Sequence, residues 1–267
     1  MLKVSILQMD VVYGKPDENR NKVEHLLERA LKEKIKPDIV VLPEMWNTSY
    51  ALEKLADIAD RDGYPTINWL KEIAKENQIN IVAGSIADMR SEGPDGAKKI
   101  YNTAYAINRS GEVVARYDKV HRFRLMNEEK YFSSGEKAVT FDLDGIKCGI
   151  VICYDIRFPE FIRKIALQGA QILFVPAQWP RPREMHWRLL NIVRAIENQF
   201  FVVGANRVGR EGKAEFPGGS IVVDPWGEVL LETGETEGVF EAVIDLSLVE
   251  QVRRRIPVFE DRRPDVY

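Results

Sequence analysis

Short apolar runs separated by polar turns recur along the whole chain. Strand character appears at Lys3–Gln8, Ile39–Leu42, Ile79–Ile86, Tyr101–Asn108, Val113–Tyr117, Lys147–Ile152, Gln171–Val175, Phe200–Ala205, Ser220–Val223 and Val239–Ile244. These runs are rich in Val, Ile and aromatic residues, which fit a pleated, half-buried surface. Between several of them a helical period takes over. From Asn19 to Ile35 the apolar positions are Val23, Leu26, Leu27, Ala30 and Leu31, the spacing of one buried helix face. Thr66–Asn77 and Pro159–Gly169 behave similarly. Glu184–Asn198 is the longest of the later helices, and Leu189, Leu190, Ile192, Val193 and Ile196 predict its packed face, with Arg188 and Glu197 left polar.

Turn chemistry joins neighbouring strands directly at Arg109-Ser110-Gly111-Glu112, Asp142-Leu143-Asp144-Gly145 and Asp224-Pro225-Trp226-Gly227. The chain therefore mixes β-α-β stretches with β-β hairpins. That predicts an α/β protein with either one mixed sheet or two sheets, helices outside. The Gly-, Pro- and charge-rich stretch Arg90–Lys99 predicts an exposed hairpin loop. No repeat or long linker interrupts residues 1–267, which read as one domain.

Composition narrows the function classes. Of 267 residues, 45% are hydrophobic and 30% charged, and the net charge is −3. Mixed charges of both signs point away from nucleic acid and from an anionic membrane. The cluster Arg253-Arg254-Arg255 reads as a solvated helix face. No apolar stretch approaches the ~20 residues that span a bilayer, and the start of the chain runs directly into strand-like sequence. The two cysteines, Cys148 and Cys153, would point to opposite faces of a strand, so a disulfide between them is not expected. A reducing, cytoplasmic location fits.

The chemistry concentrates in three segments. Cys153-Tyr154-Asp155-Ile156-Arg157-Phe158-Pro159-Glu160 lies between a strand-like and a helix-like run. A cysteine on such a turn exposes its sulfur, and the following backbone N–H, that of Tyr154, can face a developing oxyanion. Leu42-Pro43-Glu44-Met45-Trp46 and Tyr117-Asp118-Lys119-Val120-His121 each place one ionisable side chain at a strand end. Cys148, inside a strand, reads as an inert core residue. A Cys-His mechanism finds little support: His25 sits within the first helix, and His186 beside Trp187 reads as a packing residue. No His or Cys pair has zinc-ligand spacing, and no phosphate or dinucleotide loop is present, so neither metal nor cofactor is expected.

In order and context, Glu44, Lys119 and Cys153 resemble the Glu-Lys-Cys set of the nitrilase (carbon–nitrogen hydrolase) superfamily. The resemblance runs from Ile6-Leu7-Gln8 to the tail. Trp179-Pro180-Arg181-Pro182-Arg183, His186-Trp187, Arg194-Ala195-Ile196-Glu197-Asn198-Gln199 and Asp224-Pro225-Trp226-Gly227-Glu228 resemble its ω-amidase branch. The resemblance implies a four-layer αββα sandwich and homodimers, with the tail from Arg253 to Tyr267 a candidate to cross the interface. It also implies a second glutamate, Glu128 by the count back from Ser134-Gly135, with Glu129 as the adjacent alternative.

The implied activity is hydrolysis of a small carboxylated amide, such as the 2-oxo acid ω-amide 2-oxoglutaramate, through a Cys153 thioester. Glu44 would serve as base and Lys119 as oxyanion cation. A substrate carboxylate calls for a guanidinium, and Arg157 and Arg183 are candidates, with Trp179 as a wall. His121, two residues past Lys119, shares its strand face and is expected to line the pocket. Rival readings are a carbamoyl-amide hydrolase and a catalytically silent small-molecule binder.

Overall fold

The computed structural model describes residues 1–92 and 96–266. Strand Leu2–Gln8 pairs in parallel with Ile39–Val41, and that strand in parallel with Asn80–Glu92. Antiparallel strands flank this parallel centre: Gly238–Ile244 on one side, Ala97–Ile107 and Val113–Asp118 on the other. A second sheet repeats the plan. Its centre is Ile146–Ile150, Ile172–Ala177 and Phe201–Asn206 in parallel, flanked by antiparallel Val139–Leu143, Ile221–Val223 and Val229–Glu232. A separate two-stranded ribbon spans Val208–Glu211 and Ala214–Pro217.

Strand alternation decides the layers. Val4, Ile6, Ile39 and Val41 from the first sheet meet Ile150, Ile172, Phe174 and Val203 from the second in one central core. The opposite faces pack outward. Leu7, Val40 and Ile81 bury against Val23, Leu27, Ile67 and Leu70 of helices Pro16–Leu31 and Thr66–Asn77. Leu173, Val175 and Val202 bury against Ile162, Ile165 and Trp187 of helices Pro159–Leu167 and Glu184–Asn198. The order is helix, sheet, sheet, helix: the αββα sandwich. Strands covered on both faces explain the near-continuous apolar runs.

Two expectations need correction. Helix Glu184–Asn198 forms, but it buries Trp187, Asn191, Arg194, Ala195 and Asn198. Leu190 and Ile192 pack against the core as expected, but Leu189, Val193 and Ile196 stand 47%, 43% and 47% exposed. The inward polar side chains have partners for their donors: Arg194 donates to the Ile156 carbonyl, and Asn191 and Asn198 to their own helix, while among the described residues the amide oxygens of Asn191 and Asn198 are buried without one. Arg253 is also not simply solvated; it donates to the carbonyls of Ala170 and Gln199 and lies over the Phe259 ring.

The hairpin through Arg90–Lys99 stays paired as far as Glu92 and Ala97, so both its strands are longer than expected, and its tip lies outside the described residues. No helix among the described residues is long and apolar enough to cross a membrane.

Candidate active site

Three strand ends converge. Glu44 follows Ile39–Val41, Lys119 follows Val113–Asp118, and Cys153 follows Ile146–Ile150. The carboxyl ends of parallel strands are the usual place for a site in open α/β sheets. A bulge makes room for Glu44. The register of Asn80–Glu92 slips between Val82 and Ser85, where Gly84 adopts φ +59. A Cβ at Gly84 would lie 2.0 Å from the Pro43 carbonyl oxygen, so only glycine lets this loop lie so close. Ser85 then grips the loop, its Oγ accepting from Met45 N at 3.0 Å. Cys153 itself sits at φ 47, a left-handed conformation uncommon for a non-glycine residue. It opens the short helical turn Cys153–Arg157 and remains half-buried.

Lys119 Nζ donates to Glu44 Oε1 and to Glu128 Oε1, both at 2.8 Å. All three side chains are at most 2% exposed. Glu44 Oε1 also accepts from Asn102 Nδ2 at 2.9 Å and from the Tyr50 hydroxyl at 2.5 Å. Its other oxygen accepts from the Gln178 backbone N–H at 2.8 Å. Cys153 lies near enough to Glu44 for the carboxylate charge to act on its thiol. Glu128 is thus the glutamate that reaches Lys119, while its neighbour Glu129 is exposed.

Electrostatics separates the partners. Burial would raise the Glu44 carboxyl, but the Lys119 cation and the donors from Tyr50 and Gln178 hold it below its ordinary range. Glu128 goes the other way: burial, reinforced by the Glu44 charge, raises it despite Lys119. Burial opposes the Lys119 charge, yet the two carboxylates hold its pKa well above normal. Burial and the Glu44 charge push the Cys153 thiol well up. A neutral thiol beside an ionised carboxylate is a nucleophile whose proton leaves only as it attacks.

Tyr50, Glu128, Cys153 and Gln178 of this cluster form one wall of a pocket. Cys153, Tyr154, Tyr50, Trp179, Arg157 and Arg183 line it. The Arg157 guanidinium stacks 4.6 Å from the Trp179 ring centroid and meets His186 Nδ1 at 3.3 Å. Arg183 lies over Phe123, 5.3 Å from its centroid, and its carbonyl accepts from the Trp179 indole at 2.7 Å. Among the described residues neither arginine has a carboxylate partner. Asp155 is not available to Arg157, because it accepts from Tyr117, His121 and Ile152. Burial and the neighbouring Arg183 lower the Arg157 pKa, as expected for two cations sharing one space.

Two histidine expectations change. His121 does not line this cavity; Asp155 holds its Nδ1 at 2.8 Å, and its ring stacks on Phe158 at 3.6 Å. It leaves the Lys119 face because the strand ends at Asp118, and Phe161 meets its ring edge-on at 5.3 Å. His186 does not pack inside; it is exposed beside Arg157.

The sequence reading missed Tyr50, Asn102 and Gln178. Asn102, inside an apolar strand-like run, was the available signal, since a buried amide needs a partner. Gln178 is a strut between the halves of the fold. Its amide nitrogen donates to the Glu44 carbonyl at 2.9 Å, and its amide oxygen accepts from Arg207, a fully buried guanidinium, at 3.3 Å.

The family model described as carbon-nitrogen hydrolase matches residues 3–254. The 2-oxoglutaramate amidase of Bacillus subtilis (strain 168) is 47% identical over 99% of this chain and 98% of its own length. The crystal structure of Saccharomyces cerevisiae Nit3, a member of branch 10 of the nitrilase superfamily, superposes with a TM-score of 0.89 at 30% identity, covering 98% of this chain and 96% of that one. A mutant of the amidase from Nesterenkonia sp. AN1, which shows covalent addition of the acetamide moiety of fluoroacetamide at its active site cysteine, superposes with a TM-score of 0.83 at 26% identity, over 99% of this chain and 95% of that one. With the αββα sandwich and a strand-end cluster of Glu, Lys and Cys, these likenesses establish that the chain belongs to the carbon–nitrogen hydrolase family.

Proposed function

We propose that the protein is an amidase that hydrolyses a small 2-oxo acid ω-amide, 2-oxoglutaramate being the substrate class that fits best. One observation carries this reading. A thiol within reach of the charge of a buried, Lys-paired carboxylate opens into a pocket that, among the described residues, also presents two guanidinium groups without carboxylate partners. The 47% identity to a 2-oxoglutaramate amidase supports the substrate class.

Cys153 attacks the amide carbon while Glu44 takes the thiol proton. Lys119 and the Tyr154 backbone N–H stabilise the tetrahedral oxyanion. Glu44 returns the proton to the leaving ammonia, and the thioester forms. Water then enters, Glu44 activates it, and the acid departs. Glu128 holds Lys119 in place. A compartment that keeps thiols reduced, such as the cytoplasm, suits this chemistry. Ammonia release from a panel of small amides tests the reading. Release from the ω-amide that a thiol alkylator abolishes supports it, and silence across the panel rejects it.

Arg157 and Arg183 are proposed to grip the distal carboxylate, with Trp179 as the wall between them. Arg157→Lys keeps the charge but loses the planar fork. It should raise KM for 2-oxoglutaramate about tenfold or more while sparing neutral amides of similar length. Equal losses on charged and neutral amides would mark Arg157 as structural and shift the assignment to Arg183.

The working unit is proposed to be a homodimer. Leu189, Val193 and Ile196 form an exposed stripe on helix Glu184–Asn198, and the adjoining turn adds exposed Trp226. A monomer gains nothing by leaving this apolar row in water. The C-terminal stretch starts beside the same helix layer, where the Phe259 ring packs under Arg163 and Arg253. Size measurement should give a dimer or a multiple of it, and Val193→Glu should shift it toward monomer. A wild-type monomer at micromolar concentration would reject this assembly.

A further inference from the structure

Tyr50 has a role that neither the reaction scheme nor the sequence motifs assign to it. Its hydroxyl is buried between two carboxylate oxygens, 2.5 Å from Glu44 Oε1 and 2.9 Å from Glu128 Oε1. A phenol carries one proton. The shorter contact uses it, donated to Glu44. The second contact is then oxygen against oxygen, repulsive unless Glu128 brings a proton of its own. The nearby nitrogens do not resolve this conflict. Lys119 Nζ and Asn102 Nδ2 both donate to the same phenol oxygen at 3.3 Å, but they supply no proton to the Tyr50–Glu128 contact itself. Among the described residues the far oxygen of Glu128, Oε2, is buried without a partner at hydrogen-bond distance, and of hydrogen-bonding groups only the Phe123 backbone N–H acts on the carboxyl besides Lys119 and Tyr50, a costly setting for a charged carboxylate.

We propose that Tyr50 is a positioning residue that divides labour between the two acids, donating to Glu44 and accepting from a protonated Glu128. Glu44 is thereby kept ionised as the base, and Glu128 is kept neutral as a hydrogen-bond donor. The elevated Glu128 carboxyl and the depressed Glu44 carboxyl agree with this division. So does the charge balance. One carboxylate against Lys119, with a neutral thiol, leaves the wall of the cavity uncharged. The cations Arg157 and Arg183 across the cavity then face an anionic substrate without opposition. A second ionised glutamate would place a net negative charge beside the reacting carbon and repel that substrate.

The idea deepens the amidase reading and rests on it, so one test does not depend on turnover. Tyr50→Phe keeps the ring, which packs edge-on against Phe132 at 6.4 Å, and removes only the hydroxyl. The infrared carbonyl stretch of a protonated carboxylic acid should be visible in the wild-type protein at neutral pH. It should disappear in Glu128→Gln and move in Tyr50→Phe. The rate of Cys153 alkylation, and kcat/KM on the ω-amide, fall as Glu44 becomes protonated. Loss of the Tyr50 donor raises the Glu44 pKa, so in Tyr50→Phe the acid limb of both profiles should move upward by about one pH unit. Absence of the Glu128 band at neutral pH overturns the proposal. So does a Tyr50→Phe profile that is lowered evenly with its acid limb in place. If no amide is turned over, the amidase reading fails, while the infrared band and the alkylation profile still decide the role of Tyr50.

Discussion

Ammonia release by Cys153→Ala should fall to background, a loss on the order of 10⁴-fold or more, because no other group can form the thioester. The fold should survive. Cys153 is half-buried at the mouth of the cavity, so removing its sulfur leaves little void. Alanine must still occupy the left-handed backbone at φ 47, as cysteine does, so that strain is unchanged. Cys148 is the control. It lies fully buried in the core between the sheets, where burial raises its thiol pKa far above normal. Cys148→Ala should keep turnover and cost ~1 kcal/mol of stability from the small cavity it leaves. Turnover that persists in Cys153→Ala, measured as ammonia release with circular dichroism confirming the fold, would remove the nucleophile assigned here.

Lys119→Met should damage both catalysis and stability. Loss of the oxyanion's cation should lower kcat on the order of 10²-fold or more. The ammonium also stands 2.8 Å from the buried carboxyl oxygens of Glu44 and Glu128, and removing it leaves the Glu44 charge uncompensated. Breaking a buried pair from one side typically costs about 3–5 kcal/mol. Chemical denaturation should register that loss. Adding Glu44→Gln to Lys119→Met should restore much of the stability and none of the activity, since it removes the stranded charge together with the base. A Lys119→Met protein as stable as wild type would mean that the lysine is not the counter-ion of the cluster.

The layers were legible because the strand runs are short, apolar on both faces and alternate with helical periods. What the pattern could not say was which face of Glu184–Asn198 turns inward. Hydrophobicity points to Leu189, Val193 and Ile196, whereas the fold buries Asn191, Arg194 and Asn198, whose donors reach backbone carbonyls. Apolar spacing alone does not reveal that inversion. Around the cavity, Glu44, Lys119 and Cys153 stood out through their strand-end settings. Tyr50 and Gln178 did not, because their meaning is purely spatial: Tyr50 meets Glu128 across 78 positions, and Gln178 meets Glu44 across 134. His121 was misread for a related reason. Strand alternation predicts a shared face with Lys119, but the strand ends at Asp118 and the alternation ends with it.

The cluster is assembled from both sheets, Glu44 and Lys119 from one and Cys153 and Gln178 from the other. The direct bonds that cross that seam at the site include the Gln178 contacts to Glu44 and the Tyr117 and His121 contacts to Asp155. A slide of one sheet over the other by a single ångström would separate thiol from base while leaving every strand and helix formed. Misplacement on that scale can cost about 10²-fold in rate. Catalysis in this protein therefore acts as a gauge of how well its two halves are seated. Under mild urea or heat, ammonia release should fade before the far-ultraviolet dichroism changes, and ligands that bridge the seam should restore the first signal without altering the second.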